Sequence, residues 1–177
     1  MSSKLDTRSI YIRNQSRSTP NGFGQTVLWL HNIRSLHNVG SMFRTADSFG
    51  ISKLILSGYT PVPPRPEISK TALGADEFVD WVAFKTVDEA YEMIRKHNYR
   101  LVGLEQTTSS IPIQEFTIDH RPVCLVLGNE ISGIDEQQLP LLEIEIEIPQ
   151  YGRKHSLNVS VAAGIALFHL HELYSKK

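Results

Sequence analysis

Six short apolar runs, at residues 27–33, 53–57, 78–84, 100–104, 123–127 and 143–148, recur along the chain with helical patterns between several of them. This alternation limits the possible folds more than any other feature. A strand-length apolar run bounded by turn residues reads as a buried strand, and an intervening helix gives the chain room to return and pair in parallel. The expected fold class is therefore α/β, a mainly parallel sheet flanked by helices. Residues 39–49 carry apolar positions at helical spacing and stop at Gly50, a residue suited to the position after a helix. Thr86 with Glu89 forms a capping-box pattern that opens a helix to about His97. Residues 158–174 are dense in alanine and apolar side chains, as a largely buried helix would be. The run 143–148 alternates strictly between Glu and Ile, giving one apolar face and one acidic face that would meet solvent or a partner's basic residues.

A chain of 177 residues suits one domain with a substantial core. The proline-rich stretch 61–66 reads as an extended surface loop rather than a domain boundary. Cys124 is the single cysteine, so no internal disulfide can form, and its apolar setting PVCLVLG marks a buried structural thiol. The polar N-terminal stretch has no signal-peptide pattern. The longest apolar segment, 159–170, is interrupted by Ser160 and His169 and falls short of the roughly 20 residues that cross a bilayer. A cytoplasmic protein without a membrane partner is expected. The histidines at 97, 120, 155, 169 and 171 are scattered, so no metal is expected either.

Net charge is −1, yet residues 1–44 hold Lys4, Arg8, Arg13, Arg17, Arg34 and Arg44 against Asp6 alone. A basic N-terminal arm, 1–25, thus precedes a main domain, 26–177. Such an arm can follow a phosphate backbone, and a solvated, partly disordered arm fits the same charges equally well.

In parallel α/β sheets, ligands bind beyond the carboxyl ends of the strands. That rule selects the loops after Ile33, Leu104, Leu127 and Ile148, and three of them carry unusual residues. The first leads into NVGSMFRTAD, with Asn38 near a helix start and Arg44 six residues on. A capping asparagine and an exposed arginine would explain these two alone. The second is LVLGNEISGI, where Gly128 can bare its backbone and Glu130 stands at the rim; a turn followed by a cap is the simpler reading. The third is IPQYGRKHSLNVSVAAGIAL, with Ser156 and Asn158 at the mouth of a helix that opens on small residues. Capping accounts for Ser156 or Asn158, though not for the whole string.

Taken in order, each at a strand end, these three strings resemble the motifs of the SpoU/TrmH family of the SPOUT superfamily of RNA methyltransferases. The resemblance runs from about Val27 to Leu170. Gln150 stands where the family often has methionine, and Ile131 where glycine is common. The resemblance implies a C-terminal deep trefoil knot, a feature otherwise nearly absent from proteins, and a homodimer with the knotted regions packed together. It implies S-adenosylmethionine as cofactor, held by Leu104, Gly128, Ile148, Ser156 and Leu157. It further implies methylation of a ribose 2′-hydroxyl in RNA, with transfer RNA favoured over ribosomal RNA. Arg44 would act at the ribose, oriented by Asn38, with Glu130, Ser156 and Asn158 completing the catalytic set. Arg44 as general base conflicts with the chemistry of a guanidinium, which has no lone pair free to take a proton, so holding a phosphate and stabilising the developing alkoxide is weighed equally. Arg8, Arg13, Arg17 and Arg44 are the RNA-binding candidates. The alternatives are a SPOUT enzyme that methylates a base nitrogen, and a non-catalytic knotted module for RNA binding or assembly.

Overall fold

The computed structural model describes residues 2–20 and 22–176; positions 1 and 21 of the expected arm lie outside the described residues. Seven strands form one sheet in which every pairing is parallel: β1 Val27–His31, β2 Lys53–Ser57, β3 Trp81–Phe84, β4 Arg100–Leu104, β5 Ile111–Pro112, β6 Val123–Leu127 and β7 Ile144–Glu147. Their spatial order is β3-β2-β1-β6-β4-β7-β5. The helices are α1 Thr7–Gln15, α2 Leu36–Phe49, α3 Pro66–Ala72, α4 Ala75–Phe78, α5 Val87–Lys96 and α6 Val159–Ser175.

The two-residue period of the strands sorts their side chains into two layers. On one face Leu28, Leu30, Leu54, Leu56, Leu125 and Leu127 pack with Val39, Met42, Phe43 and Ala46 of α2 and Ala163, Ala166, Leu167 and Leu170 of α6. On the other face Val27, Trp29, Ile55, Cys124 and Val126 pack with Val87, Ala90 and Ile94 of α5. The Cys124 thiol is fully buried there, and burial pushes its pKa far up, so it is an inert core group as expected. Phe23, ahead of the first strand, already belongs to the core and packs its ring against Phe49, His171 and Tyr174.

Several local expectations hold. Thr86 and Glu89 form a full capping box on α5, and α2 ends at Gly50. Others are corrected. The helix expected over 39–49 begins at Leu36, because Ser35 caps it by accepting the Asn38 N–H at 3.3 Å. The strand expected over 78–84 begins only at Trp81, since residues up to Phe78 form one helical turn. The acidic face of β7 meets groups of the same chain rather than bare solvent. Glu143 pairs with Arg121 at 2.6 Å, while Glu145 and Glu147 accept hydroxyls from Ser109 and Ser110. The N-terminal arm is helical over α1, which Asp6 caps and which buries none of its own residues, while Phe23 near the arm's end joins the core. Among the described residues no helix is long and apolar enough to cross a membrane.

Four strands next to one another in the sheet, β1, β6, β4 and β7, are those whose following loops the carboxyl-end rule selects. The chain order of these strands is scrambled in space, so loops far apart in sequence converge on one rim.

Candidate active site

The rim encloses a cleft of about 530 Å³. Leu104, Gly128, Ile148, Ser156 and Leu157, the five residues assigned to the cofactor, all line it, as does Glu130. The strand ends bring apolar side chains to its floor. Gly128 is needed there because a Cβ would strike the Gly133 carbonyl and the Ile134 nitrogen. Without one, residues 129–133 close on themselves through Asn129 N–H to Gly133 O at 2.8 Å and Gly133 N–H to Asn129 O at 2.9 Å.

Glu130 is bound by three donors. Its carboxylate accepts the Arg34 N–H at 2.9 Å, the Ser35 N–H at 3.0 Å and the Asn38 side-chain amide at 2.9 Å. Burial pushes its pKa up, but these hydrogen bonds outweigh the burial and hold it below the usual carboxylate range. The anion sits at the N-terminus of α2, where the unsatisfied N–H groups and helix dipole favour negative charge.

Asn38 is buried, and its Oδ1 accepts the Asn158 Nδ2–H at 3.0 Å. Asn158 caps α6, its Oδ1 accepting the Ser160 N–H at 2.9 Å, the Val161 N–H at 3.4 Å and the Ser160 hydroxyl at 2.6 Å. Each amide orientation follows from its neighbours. The α6 N–H groups require the Asn158 oxygen, which turns its NH₂ to Asn38, whose NH₂ then faces Glu130. Asn38, Glu130 and Asn158 are thereby joined in one relay between two helix N-termini.

Arg44 is not part of it. The Asn38 side chain turns to Glu130 and Asn158, and Arg44 is exposed, six residues and about 120° round the helix from Asn38. Within one chain, Asn38 therefore does not orient Arg44. Ser156 lines the mouth of the cleft and is exposed. Arg8, Arg13 and Arg17 are exposed along the arm.

Sequence reasoning missed several lining residues. Glu105 and Gln106 follow β4 directly, so the rule that named the loop after Leu104 could have found them. Glu105 accepts the Ile134 N–H at 2.8 Å and the Gln106 N–H at 2.9 Å, and Gln106 donates to the His155 carbonyl at 2.9 Å. Glu147 adds a third acid to the lining, beside Glu105 and Glu130. Among the described residues, no group of three or more His, Cys, Asp or Glu is placed to hold a metal ion.

Residues 25–168 match the model of the SpoU rRNA Methylase family. A putative TrmH family tRNA/rRNA methyltransferase of Staphylococcus haemolyticus is 28% identical over 163 residues, 92% of this chain and 63% of that protein. A 23S rRNA (guanosine-2'-O-)-methyltransferase of Blochmanniella floridana is 31% identical over 150 residues, 85% of this chain and 58% of that protein. The chain thus spans about three-fifths of the length of these curated relatives. An AdoMet-bound rRNA methyltransferase of Sinorhizobium meliloti shares the fold, with a TM-score of 0.79 over 95% of this chain and 70% of that one at 24% identity. Matched to the family's model along most of its length, with that family's three motifs meeting at one rim, this chain belongs to the SpoU rRNA methylase family.

Proposed function

We propose that this chain methylates a ribose 2′-hydroxyl in RNA with S-adenosylmethionine as donor. The relay from Glu130 through Asn38 to Asn158 carries this reading, because it fixes all three motifs against the wall of a cleft lined by every residue assigned to the cofactor. The relatives' names, methyltransferases of tRNA/rRNA and of the guanosine ribose in 23S rRNA, support the same chemistry.

The cleft suits the donor. Its volume, about 530 Å³, lies in the range of small-molecule sites, about 300–1,000 Å³. Leu104, Ile148 and Leu157 offer apolar faces, and Glu105 and Glu147 offer negative charge toward a sulfonium. When bound, the donor supplies a methyl group on positively charged sulfur, already a strong electrophile. The chain's own task is to hold the hydroxyl in line with that methyl and accommodate its proton. Ser156, which lines the cleft and is exposed, orients the ribose in this reading. Arg44, permanently charged, serves the substrate phosphate and the developing alkoxide from the RNA side.

A homodimer belongs to this reading. Val161, Ile165 and Phe168 form an apolar stripe along α6, 51%, 41% and 56% exposed, of the kind that a second copy covers. Thr45, next to Arg44 in sequence, lies against Gly164 of that helix, and in this reading a dimer seam over the stripe draws Arg44 to the partner. The deep knot belongs to it as well. β4 is flanked by the later strands β6 and β7, and Gln106 at its end holds the 149–157 loop at His155.

The test is methyl transfer from labelled S-adenosylmethionine to RNA from cells lacking this modification, transfer RNA first, followed by nucleoside analysis. The expected product is a 2′-O-methylnucleoside, lost in Arg44→Ala. Activity retained in Arg44→Lys supports the electrostatic role over general-base catalysis. A methylated base supports a base-nitrogen enzyme instead, and donor binding without transfer supports a non-catalytic RNA-binding module. Neutralising Arg8, Arg13 and Arg17 together is expected to flatten the salt dependence of RNA binding by about 2 to 3 in log–log slope. An unchanged slope removes the arm from the interface.

A further inference from the structure

The turn after β2 adjoins the cleft, although none of the three motifs includes it. Residues 57–60 close through Thr60 N–H to Ser57 O at 3.3 Å, with Gly58 at φ 66°. A Cβ at Gly58 would collide with the Asn32 side chain, so only glycine lets this turn approach so closely. The approach fixes Tyr59 at both ends. Its N–H donates to Asn32 Oδ1 at 3.2 Å, and its hydroxyl meets Asn129 Nδ2 at 2.9 Å. The residue nevertheless remains 59% exposed.

Asn129 has no bonding capacity left. Its NH₂ donates to the Asn32 carbonyl and to Tyr59, and its Oδ1 accepts the N–H groups of Ile131 and Ser132, which line the cleft. One amide therefore sets both the cleft wall and the tyrosine beside it. Arg34, two residues beyond Asn32, is exposed on the same rim. Its backbone N–H is held by Glu130, and its guanidinium has no partner among the described residues.

An aromatic ring hydrogen-bonded at both ends yet open to water, with an exposed cation two residues along the chain from the Asn32 that holds it, matches what a single-stranded nucleic acid requires: a π face for a base and a charge for the adjoining phosphate. We propose that Tyr59 is a stacking platform for a base of the RNA substrate, with Arg34 at the neighbouring phosphate. This rests on the RNA-methylation reading and specifies how the RNA is gripped.

The experiment compares Tyr59→Phe with Tyr59→Leu in the full chain. Binding is titrated against fluorescein-labelled mixed transfer RNA and against a mixed-sequence single-stranded oligoribonucleotide. Both variants lose the hydroxyl, so any effect transmitted through Asn129 appears in both, and the difference between them reads the ring. Tyr59→Leu is expected to bind RNA roughly 5- to 100-fold more weakly than Tyr59→Phe, with the loss in KM for RNA rather than in kcat. Equal affinities of the two variants overturn the proposal. If the unaltered chain methylates RNA while the variants bind alike, only this proposal falls. If it binds the donor but no RNA, the methylation reading falls and takes the proposal with it.

Discussion

The wall of the cleft and the loop that closes it are built on opposite principles. In the wall, Glu130, Asn38 and Asn158 spend their bonds on one another and on two helix N-termini, so their geometry is complete before any ligand arrives. The closing loop, residues 149–157, turns outward instead. Residues 151–157 are exposed, Tyr151 to 97%, and a side-chain bond from Gln106 to the His155 carbonyl secures the segment. The contrast assigns different work to each. A wall bonded in advance fixes orientation, which methyl transfer in line demands. A loop with exposed backbone and side chains can settle onto a ligand.

The strongest way to break this contrast is Glu130→Ala. It strips the acceptor from two backbone N–H groups and one side-chain amide, at a cost of about 2 kcal/mol, or about 4–8 °C in Tm for a chain of this size. Thermal melting reads the stability, and the methyl-transfer assay is expected to fall with it. A variant that melts like the parent would mean that the relay does not organise the wall. The same pair of proteins sharpens the comparison with pH. Glu130 has its pKa depressed on folding, so its stabilisation is present above the unfolded value and lost as pH falls through the folded one. The gap in Tm between parent and Glu130→Ala should be full at neutral pH and narrow below about pH 4.5. A gap that is constant with pH would show that charge at this carboxylate contributes nothing. The smallest effect is expected in the loop. Gln106→Ala should leave stability within about 0.5 kcal/mol, while donor affinity, measured by calorimetry, falls about fivefold for one lost hydrogen bond. Loss of stability without loss of donor affinity would reverse the roles given to loop and wall.

Much of the fold was legible because period and punctuation agree with each other. The five-residue strands β2, β4 and β6 lie where apolar runs end at turns, and α5 starts where its capping box stands. What escaped was short or locally ambiguous. Phe78 looks like the start of a strand by its apolar company, yet it closes a helical turn and lies 79% exposed. α3 opens on Pro66, so its first helical residue is also the last of a proline-rich stretch that reads as extended. In the site, residue types were legible but partnerships were not. Whether Asn38 faces Arg44 depends on where α2 begins, and Ser35 sets that start three residues earlier than the apolar pattern suggests. Glu130, read as one member of a catalytic set, also holds the α2 N-terminus, because a half-buried anion needs donors and that helix end supplies them. Tyr59 carried no signal in its own segment; its meaning comes from Asn129, seventy positions away.

The bond between Asn38 and Asn158 spans 120 residues of chain. β6 must also take its place between β1 and β4, both of which leave the ribosome before it. Until then each exposes an unpaired edge, and the relay cannot close before α6 has been made and docked. Folding that depends on such distant pairings is slow, and it leaves strand edges open to other chains while it proceeds. A nascent chain of this protein would therefore complete the wall of its cleft at the end of its folding, with a long interval in which assistance from chaperones matters most.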